Sequence, residues 1–179
     1  MIFIGKAYSV VVNLIYLFIL SKTTKNVLKF KFPRIDSGLK ISIFNRSYLN
    51  LNNLLARNNL KLFINNGSLY FGEGCFVNND CSFNCLDRIS IGENSIFGEG
   101  IKVYDHDHRI GDGYIVSKNE FVTAPICIGS NCWIGSNTVI LKGVNIADNV
   151  IIGANSLVNK SIVDAGIYVS KNGSLVKIK

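Results

Sequence analysis

Most of the residues that carry chemistry are scarce in this sequence. Its 179 residues include two histidines, two prolines, one tryptophan and one methionine, and only 17% are charged. With so little proline and a hydrophobic share of 48%, a disordered or collagen-like chain is excluded, and the length suffices for one domain with a real core. Long apolar runs are also missing. The stretch at 14–20 is uninterrupted for seven residues, and 7–20 covers 14 with Ser9 and Asn13 inside it. Both fall short of the roughly 20 residues that cross a bilayer. Leu20-Ser21-Lys22 offers no small-x-small cleavage site, so no signal peptide is expected.

Acidic residues are nearly absent from the N-terminal third. Residues 1–62 hold ten Lys or Arg and a single acid, Asp36, whereas 63–179 hold nine basic and eleven acidic residues. The net charge of +7 is therefore a property of one end of the chain. Phe30 and Phe32 stand among these charges, but no nucleic-acid motif carries them, so no nucleic-acid partner is expected. An anionic membrane surface suits them better. The apolar segment 2–20, followed by Lys22, Lys25, Lys29, Lys31 and Arg34, reads in two ways. It is a helix covering the end of a repeat array, or an in-plane contact with the inner face of a membrane.

The five cysteines have no CxxC pairing. Cys75, Cys81 and Cys132 fall instead at one fixed place of a short repeat, which points to reduced structural thiols and a cytoplasmic compartment. A zinc site of the three-histidine kind is excluded by the two histidines of the chain, and no metal is expected.

A period of six is the main positive signal. From Ile128 the chain reads IGSNCW, IGSNTV, ILKGVN, IADNVI, IGANSL, VNKSIV, with aliphatic residues at 128, 134, 140, 146, 152 and 158. The same rule holds at 91, 97 and 103, and earlier at 71, 77 and 83. Helices need apolar spacings of three and four, so a strict six excludes them. It suits an all-β prism of about five coils, each with three short parallel faces, in which Gly or Asn takes the tight corners. The chain then divides into an apolar, basic segment at 1–40, a β-helix at 41–165 and a tail at 166–179.

One excursion breaks the period. After Val103 the repeat resumes only at Ile126-Cys127-Ile128, so residues 104–125 leave the prism. A long excursion from a compact scaffold is usually functional. This one contains both histidines, His106 and His108, each preceded by an aspartate, Asp105 and Asp107. Imidazole titrates near neutrality and serves as a general base, and a neighbouring carboxylate can fix its tautomer.

The hexapeptides, the loop VYDHDHRI, the re-entry APICIG and the following NCWIG resemble the hexapeptide-repeat acyltransferases, in particular the branch that O-acetylates maltose, galactosides and surface polysaccharides. The resemblance covers roughly 67–165. It implies a left-handed parallel β-helix and transfer of acetyl from acetyl-CoA to a sugar or glycan hydroxyl, in a homotrimer with sites between subunits. Alignment on Arg109-Ile110 and on the distance to Trp133 favours His108 over His106 as the family base, the other histidine then being a supporting or substrate contact; the choice between the two stays open, and Asp105 and Asp107 are candidate orienting carboxylates. Tyr104 and Arg109 are candidate acceptor contacts. Trp133, Gly135, Ser136, Gly153, Ala154 and Lys160 match the coenzyme track. The C-terminus departs from the family: Lys171-Asn-Gly173-Ser174-Leu175 replaces its usual Gly-x-Pro-Ala ending, and Val163 stands where a proline is common. A sugar amine or another small acceptor, such as serine, in place of the sugar hydroxyl is the alternative activity. A γ-type carbonic anhydrase on the same prism lacks its third histidine here.

Overall fold

A computed structural model describes residues 2–179, with side chains from Ala7 onward; Met1 and the side chains of residues 2–6, including Lys6, lie outside the described residues. The repeat folds as a three-faced column of parallel strands. One face stacks Val27–Lys29, Tyr48–Asn50, Ser68–Phe71, Arg88–Ile91, Ile126–Ile128 and Asn145–Ile146. The second begins with Arg34–Ile35 and Leu55–Ala56 and runs through Trp133–Ile134 and Val150–Ile152 to Gly166–Lys171 and Ser174–Lys177. The third runs from Lys40–Phe44 through Lys102–Tyr104 to Leu157–Val158.

The column has six coils where the sequence pattern suggested about five. The extra coil is the first, built from residues 27–44. Its registers, Leu28 on Leu49, Ile35 on Ala56 and Ile41 on Leu62, are offset by 21 residues. The coil holds one hexapeptide step, Ile35 to Ile41, too short a run to stand out in a search for sixes.

The repeat positions have distinct physical duties. The first and fifth places point inward, as with Val77 and Cys81 or Ile134 and Thr138, all at most 1% exposed. Phe71, Phe83 and Phe97 stack edge-to-face along the axis, with centroids 5.0 and 5.5 Å apart. The fourth place turns the corner with positive φ, at Asn94, Asn131, Asn137, Asn149 and Asn155 among others. Asn tolerates that region better than most residues. The second place lies against the coil above: a Cβ on Gly92 would come 2.5 Å from the Ser130 amide nitrogen.

The cysteines at the fifth place donate to the coil above. Cys75 Sγ reaches Gly92 O and Cys81 Sγ reaches Gly98 O, both at 3.1 Å. Cys132 Sγ reaches Ala147 O at 3.2 Å. All five cysteines are free. Burial pushes the thiols of Cys75 and Cys81 up from 9.0 to about 11, and raises those of Cys85 and Cys132 as well.

Ile2–Thr23 is one helix against the first coil. Leu17 is fully buried there and Leu20 packs on the core. Asn13 Nδ2 donates to Ile35 O and Asp36 O at 2.9 and 2.7 Å, and the Tyr16 hydroxyl to Ile41 O at 3.4 Å. The helix thus satisfies carbonyls that the edge coil would otherwise leave open. Among the described residues no helix is long and apolar enough to cross a membrane. At the other end, Gly166–Lys171 adds parallel to Val150–Ile152 and turns back on Ser174–Lys177.

Gly92→Ala should cost about 1–3 kcal/mol through overpacking against the next coil, read as a lower denaturant midpoint. The buried thiols hold their protons more tightly folded than unfolded. Their contribution is therefore intact below pH 9 and lost as pH rises from 9.0 towards about 11. Melting temperature should fall across that window, and at pH 8 a thiol reagent should modify at most the half-buried Cys127 until the chain is denatured.

Candidate active-site hairpin and apolar groove

The excursion is an ordered antiparallel hairpin. His106–Ile110 pairs with Val116–Thr123, matching His106 to Thr123 and His108 to Phe121, with a bulge between His108 and Ile110. Its neck is closed where Ala124 N donates to Asp105 O at 2.9 Å and Gly143 N donates to Ala124 O at 3.1 Å. Lys142 of the following coil reaches Asp107 at 2.9 Å and braces the hairpin from outside.

Asp105 is the anchor. Its carboxylate is fully buried and accepts from Leu86 N at 2.8 Å and Asp87 N at 2.8 Å. It also lies 3.0 Å from His106 Nδ1. A carboxylate can only accept, so Nδ1 is the donor and the neutral ring keeps its lone pair on Nε2. His108 reaches the same tautomer by another route, because its Nδ1 lies 2.9 Å from the Ser117 carbonyl oxygen, which also only accepts.

Both rings occupy one side of the first hairpin strand, since they are two residues apart. Phe121 packs against both, with centroids 5.3 Å from His106 and 4.7 Å from His108. His106 has a side chain only 14% exposed and also meets Tyr104 edge-on at 6.3 Å, whereas His108 is exposed. Arg109 pairs with Glu120 at 3.4 Å, both in solvent.

Of the two candidate carboxylates, Asp105 meets His106 and Asp107 meets Lys142; neither is paired with His108. The contributions of Leu86, Asp87, Ser117 and Phe121 had no sequence signal. Three of them are contacts through backbone atoms, which any residue type supplies, and Phe121 joins the histidines only through hairpin register.

The second cluster is an apolar groove of about 300 Å³ on the second face. Trp133, Gly135, Ser136, Gly153 and Ala154 all line it, together with Ile151 and Ile167. Ile96, Trp133, Ile151 and Ile167 are register partners on successive coils, forming an outward apolar ladder beside the small residues. Lys160 lies elsewhere, in a separate cavity of about 370 Å³ with Asp164, Tyr168 and Ser174.

Hairpin and groove are on opposite sides of one column. The hairpin leaves at the corner between the third and first faces, after Lys102–Tyr104 and before Ile126–Ile128. Trp133 belongs to the second face, across the prism from that corner. Among the described residues, no group of three or more His, Cys, Asp or Glu is placed to hold a metal.

The family model "Bacterial transferase hexapeptide (six repeats)" matches residues 127–160. A Mycobacterium tuberculosis protein named as a probable acetyltransferase is 29% identical over 112 residues, 62% of this chain and 37% of that one. The chain spans between 37% and 45% of the length of the curated relatives it matches. Among solved structures, a mutant of AntD, an N-acyltransferase from Bacillus cereus in complex with dTDP and coenzyme A, aligns with a TM-score of 0.65 at 18% identity. That alignment covers 89% of this chain and 87% of that one. A maltose O-acetyltransferase from Clostridium difficile aligns with a TM-score of 0.56 at 21% identity, covering 97% of this chain and 85% of that one. The fold is thus the left-handed parallel β-helix of hexapeptide-repeat proteins.

Asp105→Ala would leave the half-buried amides of Leu86 and Asp87 without their acceptor, at about 1 kcal/mol for each. The expected result is a lower melting temperature and faster trypsin cleavage at Arg109 and Lys118, because the hairpin loses its anchor.

Proposed function

We propose that this hexapeptide-repeat β-helix protein is an acetyl-CoA-dependent O-acetyltransferase acting on a sugar hydroxyl of a cell-surface glycan or its precursor. It works in the cytoplasm, where acetyl-CoA is made, at the inner face of the membrane. The observation that carries the reading is a pair of imidazoles on one hairpin face, each with Nδ1 engaged and Nε2 left as the basic atom. The maltose O-acetyltransferase and coenzyme-A-bound N-acyltransferase folds support acyl transfer as the chemistry.

In this reading His108 is the base, exposed to the acceptor, with its tautomer set by the Ser117 carbonyl. Nε2 takes the proton as the sugar oxygen attacks the thioester carbonyl, and coenzyme A leaves as the thiol. His106 and Tyr104 border the acceptor, and Arg109 contacts it. The groove at Trp133 takes the pantetheine arm, since Gly135, Ser136, Gly153 and Ala154 leave room beside the apolar ladder. Lys160 lies in the other cavity and would meet only the phosphate end of the coenzyme.

Hairpin and groove face away from each other on one chain, so base and coenzyme meet only between chains. A homotrimer with three inter-subunit sites satisfies this in a closed ring.

A second reading is favoured by one contact: the buried Asp105 carboxylate holds His106, which makes His106 the better-oriented base. An acceptor amine is the alternative substrate class, supported by the N-acyltransferase fold.

Thiol release from acetyl-CoA against a panel of sugars, amino sugars and lipid-linked oligosaccharides tests all of this. His108→Ala should lower kcat by about 10²–10⁴ and His106→Ala by less, and the reverse order selects the second reading. Full activity in both variants would sink the mechanism. Mixing His108→Ala chains with Trp133→Ala chains should restore activity, because one site in a mixed trimer then has both intact halves. No recovery in proven mixed assemblies would place base and coenzyme on one chain.

A further inference from the structure

The outer face of the N-terminal helix breaks the usual rule for a helix lying on a protein surface. One side packs on the first coil through Leu17, Leu20 and Asn13. The opposite side carries Tyr8, Val11, Val12, Ile15, Phe18 and Ile19, between 42% and 71% exposed. At about 100° per residue these six fall within a single arc roughly 120° wide, centred on Ile15. Residues 7–21 include no charged side chain at all. A helix apolar on every side is normally covered on every side, and a contiguous apolar stripe of this kind marks a surface that meets something.

The charges beside the stripe identify what it meets. Near its C-terminal end Phe18 forms part of the wall of a groove of about 460 Å³ that is also lined by Lys22, Lys29 and Lys31. Lys22 lies over the Phe18 ring at 5.7 Å, so the cation sits at the very edge of the apolar face. Lys25 and Arg34 are exposed in the same stretch, and between Lys22 and Arg34 there is no acid. Glu73 pairs with Lys31 across the first coils, and among the described residues Lys22, Lys25, Lys29 and Arg34 meet no carboxylate. Phe32, 85% exposed, adds a bulky apolar tip within the basic run.

We propose that this face docks on an anionic bilayer. The helix lies in the plane of the interface with the Ile15 stripe among the upper acyl chains, and the groove of Lys22, Lys29 and Lys31 takes lipid phosphates. The length agrees: 22 residues extend about 33 Å along the surface, and the basic rim sits at the depth of the headgroups, where long side chains reach outward. The helix therefore has two roles on two sides. It closes the first coil of the column and holds the column against the membrane. The inference deepens the placement at the inner membrane face proposed above, but rests on no part of the acetyl-transfer chemistry.

The test is co-sedimentation of the full chain with vesicles of phosphatidylcholine alone and of phosphatidylcholine mixed with phosphatidylglycerol. The wild type should pellet with the mixed vesicles and be partly released by high salt. Lys22→Gln, Lys29→Gln and Lys31→Gln together should weaken that binding on the order of 10²-fold. Ile15→Asp with Phe18→Asp should abolish binding to both vesicles while circular dichroism and melting temperature hold, since both positions face outward. A folded wild type that stays in the supernatant overturns the proposal. So does a lipid-free assembly that Ile15→Asp dissociates, which would make the stripe an interface between copies. Thiol release toward a soluble sugar, measured on the same preparations, separates the two readings: an active chain that ignores vesicles overturns the docking alone. An inactive chain that binds them supports docking while counting against acetyl transfer.

Discussion

The column depends on each coil resting directly on the next at strand spacing. Backbone amides carry this stacking: Gly92 N donates to Ile128 O, Gly98 N to Ile134 O and Gly135 N to Ile152 O, each at 2.8 Å. Such close approach leaves no volume for a side chain at Gly92, Gly98 and Gly135, and the corners at Asn94, Asn131 and Asn137 turn with positive φ. The apolar core follows from the same geometry. Residues at the first place stack in columns because every coil repeats the same turn, so burial is continuous without helices or long strands. The rigidity of this frame gives the two working features fixed positions.

The hairpin uses the frame by plugging into it. Asp105 is a charged group at full burial, a costly arrangement unless its oxygens are satisfied. Here the two amides at Leu86 and Asp87 and the His106 ring do so. One buried side chain thereby fixes where the hairpin leaves the column and which tautomer His106 adopts. The far side of the same frame presents the ladder of Ile96, Trp133, Ile151 and Ile167. The triangular cross-section sets the two features back to back.

The N-terminal helix addresses the weakness of any open solenoid, its exposed terminal edge. Asn13, Tyr16 and Asn26 supply donors to the carbonyls of Ile35, Asp36, Ile41 and Ile43, and Leu17 covers the end of the core. A cap made only for this purpose would show a polar outer face. This one is apolar outside as well, so capping does not account for its composition.

The sequence by itself determined the repeat, because a side chain every sixth residue is a one-dimensional pattern that survives without coordinates. It also located the corner Asn and Gly residues, the buried cysteines, the break at 104–125 and five of the eight residues that line the groove. It did not reveal the first coil, where the single step from Ile35 to Ile41 is too short a run to stand out, nor that Lys160 turns into a different cavity from Gly153 and Ala154. It also could not say which aspartate meets which histidine. Asp105 and Asp107 are equivalent in the string DHDH, and two residues apart on a regular strand they would share a side, but Asp105 falls in the bend before the hairpin strand begins at His106. Where the hairpin joins the column decides that one faces the core and the other faces Lys142. That choice is a matter of register and depth, and only the folded chain has either.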